Sequence, residues 1–264
     1  MRKLLMILPI FFLFALPVYA SSQRSYQDYL YQYDQYRQNL TDFQTAKNTY
    51  LQFQSLAAQT DAYNKTKLFL TQRDNLFKAY LLLLSDKLDE NPGVSPNDKG
   101  TYQQLLASES AFLTTNAQQI PGAISLNDVT SLSPPFENQY KTLQRDIRKV
   151  LIILALGQLT TLNNSFQTIT SAAQAIVTAN ATVFPTQKQA TINQWVTQIQ
   201  LKEQSYQKQY ADLIDSTNKF DGYDVRELDQ KYNDILKGVT NARQLLIDGA
   251  SNLIELKDEL KYIN

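Results

Sequence analysis

The side chains that carry most protein chemistry are missing or scattered in this chain. Neither cysteine nor histidine occurs among its 264 residues. That removes thiolate nucleophiles, disulfides, imidazole metal ligands and the commonest general base. Carboxylates and phenols remain. Asp86, Asp89 and Glu90 form one acidic cluster, and Asp221, Asp224 and Glu227 form another. Paired carboxylates hydrolyse glycosides or hold Ca²⁺ when their spacing is right. Here each cluster falls at a predicted helix end, where capping is the simpler role. The segment before Gly222 lacks the acidic spacing of a calcium loop. Asp224 and Glu227 suit the positive end of the helix that follows.

The phenols are more regular. Tyr26, Tyr29, Tyr33, Tyr36, Leu40, Phe43 and Tyr50 recur at steps of three and four, with Lys47 in one slot. A tyrosine joins an apolar face to a polar tip, so such a row suits stacking on sugar rings. It equally suits a helix seam whose hydroxyls reach the solvent edge, and that is the reading adopted. Trp195, the single tryptophan, flanks the register of its helix. It is suited either to anchoring a partner or to packing at a bundle edge, and the second is expected. Four Asn-x-Ser/Thr matches, at Asn39, Asn64, Asn163 and Asn180, carry weight only in a glycosylating host. No nucleotide loop, zincin motif or nucleophile elbow is present. The expectation is a protein that is not an enzyme, with no catalytic, cofactor-binding or metal-ligating residue.

The elements that must position these residues read as helices throughout. Seven glycines and eight prolines are too few for a turn-rich β protein, and a hydrophobic content of 43% is enough for a core. The spacing predicts a first helix over 24–59 and a second over 61–90, with Gln59-Thr60-Asp61 as a soft point or break between them. Ser25 to Asp28 is a candidate capping box for the first helix. Asn91-Pro92-Gly93 stops the second. Ser95 and Pro96 open a third helix that runs to about Gln118, and Ser125 to Asp128 caps a short turn of helix. Ser133-Pro134-Pro135 then opens a long central helix that fades near Ala179. Thr186 to Gln189 reads as a capping box for the next helix, whose stripe is Ile192, Val196, Ile199, Tyr206, Tyr210, Leu213 and Phe220. Asp224 to Glu227 reads as the box for the last. The last helix places Leu228, Tyr232, Ile235, Val239, Ala242, Leu246, Gly249, Leu253, Leu256, Leu260 and Ile263 in an unbroken heptad seam.

The central helix is the most distinctive element. Its first part is charged, but from Val150 through Gln187 there is no Asp, Glu, Lys or Arg. Free surface helices carry charges on their outer face. The run is therefore expected to have little open water around it, covered on one side by neighbouring helices and on the other by a further helix or a second copy. Gln158, Thr160, Thr161, Asn163, Asn164, Ser165 and Gln167 divide it, which disfavours stable insertion as one membrane-spanning helix.

Residues 1–20 have the form of a secretory signal peptide. Arg2 and Lys3 precede an apolar stretch from Leu4 to Pro17, and Val18-Tyr19-Ala20 is a small-x-small cleavage site. Cleavage after Ala20 would start the exported chain at Ser21, and no cysteine follows to take a bacterial lipid anchor. The whole chain has 25 basic and 25 acidic residues. Loss of Arg2 and Lys3 leaves a net charge of about −2, which attracts neither nucleic acid nor an anionic membrane.

The expected fold is therefore all-α: an elongated antiparallel bundle of five or six long helices with coiled-coil character, formed by 21–264 as a single domain. The expected function is a secreted or surface-retained, non-catalytic interaction module that binds a protein partner or itself. A membrane-active, pore-forming-like helical protein and a glycan-binding module using the tyrosine row are the alternatives.

Overall fold

The computed structural model describes residues 21–224 and 226–261. The signal segment, its cleavage site, Val225 and Ile263 lie outside them. Within the described residues the chain is all-α, with six long helices and one short one. These are α1 (Ser21–Phe53), α2 (Leu56–Glu90), α3 (Pro96–Gln119), α4 (Leu126–Ser131), α5 (Ser133–Ala179), α6 (Thr186–Asn218) and α7 (Leu228–Lys261). Short 3₁₀ turns at Ile120–Gly122 and Phe220–Gly222 close α3 and α6.

α1 and α2 are separate helices folded back as an antiparallel hairpin, and the break lies at Gln54-Ser55, earlier than the expected 59–61. Gln54 takes a left-handed backbone (φ 47°), and the Ser55 hydroxyl accepts from the Ala58 amide at 3.2 Å. One residue reverses the chain and the next caps the new helix. Gln59 to Asp61 are ordinary helix inside α2. Ser25 does not cap α1: it lies within the helix, and its hydroxyl donates to Asp86 of α2. Further along the hairpin, Gln72 donates to Gln32 at 2.6 Å and Lys65 pairs with Asp42 at 2.8 Å.

The caps expected around α3 and α4 form. Ser95 accepts from the Asp98 amide with Pro96 at the first helical position, and Ser125 and Asp128 complete a reciprocal capping box. The box expected at Thr186–Gln189 does not form. Pro185 precedes the helix, and the Gln189 side chain instead donates through Nε2 to the carbonyls of Ala181 and Phe184 at 2.8 Å, folding the linker onto the helix start. At the last helix, Asp224 accepts from the Arg226 amide at 2.9 Å, a local turn ahead of a helix that begins only at Leu228.

α5, about 70 Å long at 1.5 Å per residue, joins two cores. Leu143 and Val150 on its first half pack with Leu84, Leu88, Leu106 and Leu113 of α2 and α3. Ile152, Leu159 and Phe166 further along it pack with Ile199 and Tyr206 of α6 and Leu246 and Leu253 of α7. Between the two cores the Asn91-Pro92-Gly93 turn docks on α5. Asn91 Nδ2 donates to the Leu154 carbonyl at 2.9 Å, and a Cβ on Gly93 would lie 1.8 Å from the Gly157 carbonyl oxygen. The residues that end α2 also place it against the middle of α5.

Candidate interaction surface

The tyrosine row is largely a hairpin seam. Tyr29 packs at a tilt against Tyr80, Tyr36 at a tilt against Phe69, and Phe43 stacks on Phe69, all across to α2. The register differs from the sequence reading. Ser22, Ser25 and Ala46 are the buried residues of α1, so small side chains flank the aromatic stretch of the seam at its two ends. Tyr26 and Tyr33, expected in the row, are exposed.

The carboxylate clusters are occupied by structural partners. Glu90 accepts from Ser21 and Ser22, Asp86 from Ser25, and Asp89 from Gln103. Asp221 pairs with Lys149 at 2.7 Å. Trp195 packs, partly buried, at the edge of the second core. Asn39, Asn64 and Asn163 lie inside helices, and Asn180 caps α5. Among the described residues no group of three or more His, Cys, Asp or Glu is placed to hold a metal ion.

Three buried acids escaped the sequence reading. Asp74, fully buried, pairs with Arg73 at 2.9 Å and accepts from Asn116 at 2.6 Å. Glu109 is buried with one oxygen bonded to Gln139 and the other without a partner. Burial, with the Glu109 carboxylate adding to it, pushes the Asp146 carboxyl from 3.8 up to about 6. Each of the three had a visible signal, since each occupies an apolar slot of its helix: Asp74 between Leu70 and Leu81, Glu109 between Leu106 and Leu113, and Asp146 between Leu143 and Val150. An open groove of about 570 Å³ between α6 and α7 was also missed. Lys208 and Asp212 of α6 and Lys231, Asp234 and Gly238 of α7 line it. Cations and carboxylates face it from both walls, so it favours neither sign of ligand.

The surface with a consistent chemical character is the outer side of α5. Leu162, Ile169 and Ile176 stand one heptad apart and are 37%, 57% and 51% exposed. Ser165, Ala172 and Ala179, also exposed, fill the alternate slots. Of the two covers expected for the outer side of this half, a further helix of the same chain is not there. The inner face of this half is covered by α6 and α7, and its outer face is open in the single chain.

α7 extends the apolar strip. α5 and α7 run parallel, with Arg148 bound to Asp229 and with Phe166 where a Cβ on Gly249 would touch it. Ile247 lies eighteen residues beyond Asp229, about five full turns, and so on the flank of α7 that carries Asp229. Ile254 follows one heptad later. These two, 43% and 54% exposed, come level with the stretch from Leu162 to Ile176. The exposed side chains of Arg243 and Lys257 stand near its two ends. In comparisons with known proteins, no family, no curated protein and no solved structure matched the chain.

Proposed function

We propose that this is an exported, non-catalytic interaction module: a coiled-coil-like bundle that presents the outer face of α5, with Ile247 and Ile254 of α7, for docking by another helix. The observation that carries this reading is the exposed heptad row Leu162, Ile169, Ile176 on a helix without charge from Val150 to its end. Five roughly half-exposed Leu and Ile side chains make an apolar patch on the order of 400–500 Å², the size at which patches on single chains serve contacts. A heptad row with small residues between the large ones suits a partner helix. Among the described residues no helix is long and apolar enough to cross a membrane, which favours docking over insertion.

The test is capture from the native secretome by wild type and by the Ile169→Glu variant, side by side. Ile169 is more than half exposed, so the variant is expected to fold as wild type and to lose what wild type retains. Equal retention of every partner by both would overturn the assignment of this surface. Export is tested separately: N-terminal sequencing of the exported protein is expected to read Ser21, and a sequence starting at Met1 would refute the cleavage.

A further inference from the structure

We infer that the occupant of this strip is a second copy of the chain, with the two α5 helices antiparallel about a two-fold axis at Ile169. The inference rests on the reading of the strip as a docking surface and adds what docks. A two-fold contact sets one patch against an identical copy of itself, residue i on j and j on i, so a patch with a net charge of one sign repels its copy, and pairing is favoured on condition that the patch has none. The outer side of α5 meets this condition from Val150 to Ala179, and the α7 side of the strip between the cations Arg243 and Lys257 near its ends.

The direction of pairing follows from where that condition ends. Traced backwards by heptads from Ile169, the row passes Leu162 and Ala155 and reaches Arg148. A parallel pair of α5 helices would extend along this row and bring Arg148 towards its own copy. An antiparallel pair centred on Ile169 confines the contact to the uncharged half. It sets Ile169 against Ile169, Leu162 against Ile176, and the small residues Ser165 and Ala172 opposite each other, where they allow close approach.

The area is sufficient for a reversible dimer. Two patches of the size given above bury on the order of 900–1,000 Å² in all, below standard specific interfaces and in the range of weak, transient ones. The dimer is therefore expected to dissociate in the micromolar range.

The absence of native cysteine makes the test direct. Three variants, Ile169→Cys, Leu162→Cys and Ile176→Cys, are oxidised mildly at concentrations where sedimentation shows association. Ile169→Cys alone is expected to give a disulfide dimer. Leu162→Cys and Ile176→Cys are each expected to remain uncrosslinked alone and to crosslink when mixed. Ile169→Glu is expected to raise the dimer dissociation constant at least about thirty-fold, as for a central anchor residue, with an unchanged circular dichroism melt. Self-crosslinking by all three cysteine variants would show parallel pairing and overturn the arrangement. A wild type that stays monomeric to several hundred micromolar overturns the second copy as occupant. If that monomer still retains a partner that Ile169→Glu loses, the docking surface stands; if not, both readings fall.

Discussion

Asp146 shows how a single buried side chain makes the fold sensitive to pH. Its carboxyl titrates at about 6 in the folded chain against 3.8 ordinarily, because burial between α3 and α5 disfavours the charged form and Glu109 adds to the effect. A raised carboxyl favours the folded state while protonated. Its contribution is complete below pH 3.8 and is lost as pH rises to about 6. Asp146→Asn, which holds the group neutral, is expected to stabilise the protein at pH 7 by about 1–3 kcal/mol and to change little at pH 3.5. Thermal melts of both proteins at the two pH values measure this, and an equal shift at both would refute the linkage. Glycine makes a second case at this scale. A Cβ on Gly157 would meet the Val94 side chain at 2.5 Å and the Asn91 side chain at 2.8 Å, whereas one on Gly100 of α3 meets nothing within 4 Å. Gly157→Ala is expected to cost about 1–3 kcal/mol through overpacking, and Gly100→Ala to gain up to about 1 kcal/mol of helix propensity. Urea titrations with both variants shifted in the same direction would contradict this account.

Among the elements, α7 was the most legible in the sequence and the α1–α2 hairpin the least. Seven of the seam positions read along α7 are buried, because a strict heptad on one helix needs no knowledge of its neighbour. Leu246→Ala and Leu253→Ala are each expected to cost about 2–5 kcal/mol, read from denaturant midpoints; an unchanged midpoint in both would place the seam at solvent. The hairpin break was misplaced because Gln54, with neither Gly nor Pro beside it, carries no turn signal. Its left-handed backbone is held by the hairpin rather than by local preference. Gln54→Gly is accordingly expected to leave the fold intact and stabilise it by up to about 1 kcal/mol, a gain in melting temperature that Gln52→Gly, inside α1, should not give. The expected caps divide in the same way. Those at Ser95 and Ser125 lie at chain reversals marked by Pro or Gly. Ser25 lies inside a helix, Thr186 follows a linker that supplies its own bonds, and Asp224 turns the chain before its helix begins. Local motif matching finds a cap only where the chain also has reason to stop. The open row on α5 was illegible for a related reason: absence of charge implies a covered face, but only the packing of α6 and α7 shows which face remains.

At the scale of the whole molecule, α5 belongs to both cores while α6 packs only against α5, α7 and the turn between α6 and α7 among its principal neighbours. Polar ties span the junction: Lys149 to Asp221, Arg148 to Asp229, and Arg145 to the Tyr223 carbonyl at 3.2 Å. The acidic partners of the first two are largely exposed, and such pairs contribute at most about 1 kcal/mol each. The apolar link is narrower than either core, with Ile153 bordering both. Opening of α6 and α7 is therefore expected to proceed without opening of α2 and α3, since local unfolding follows units with few apolar contacts between them. Leu246→Ala, in the second core, should speed amide exchange in α6 and α7 at least about tenfold, as each 1.4 kcal/mol corresponds to a factor of ten, and leave α2 and α3 little changed. Leu113→Ala, in the first core, should do the reverse. Native-state hydrogen exchange read helix by helix decides the matter. If either substitution accelerates all helices equally, the length of α5 has fused the two cores into one cooperative unit, and the weak-junction argument is wrong.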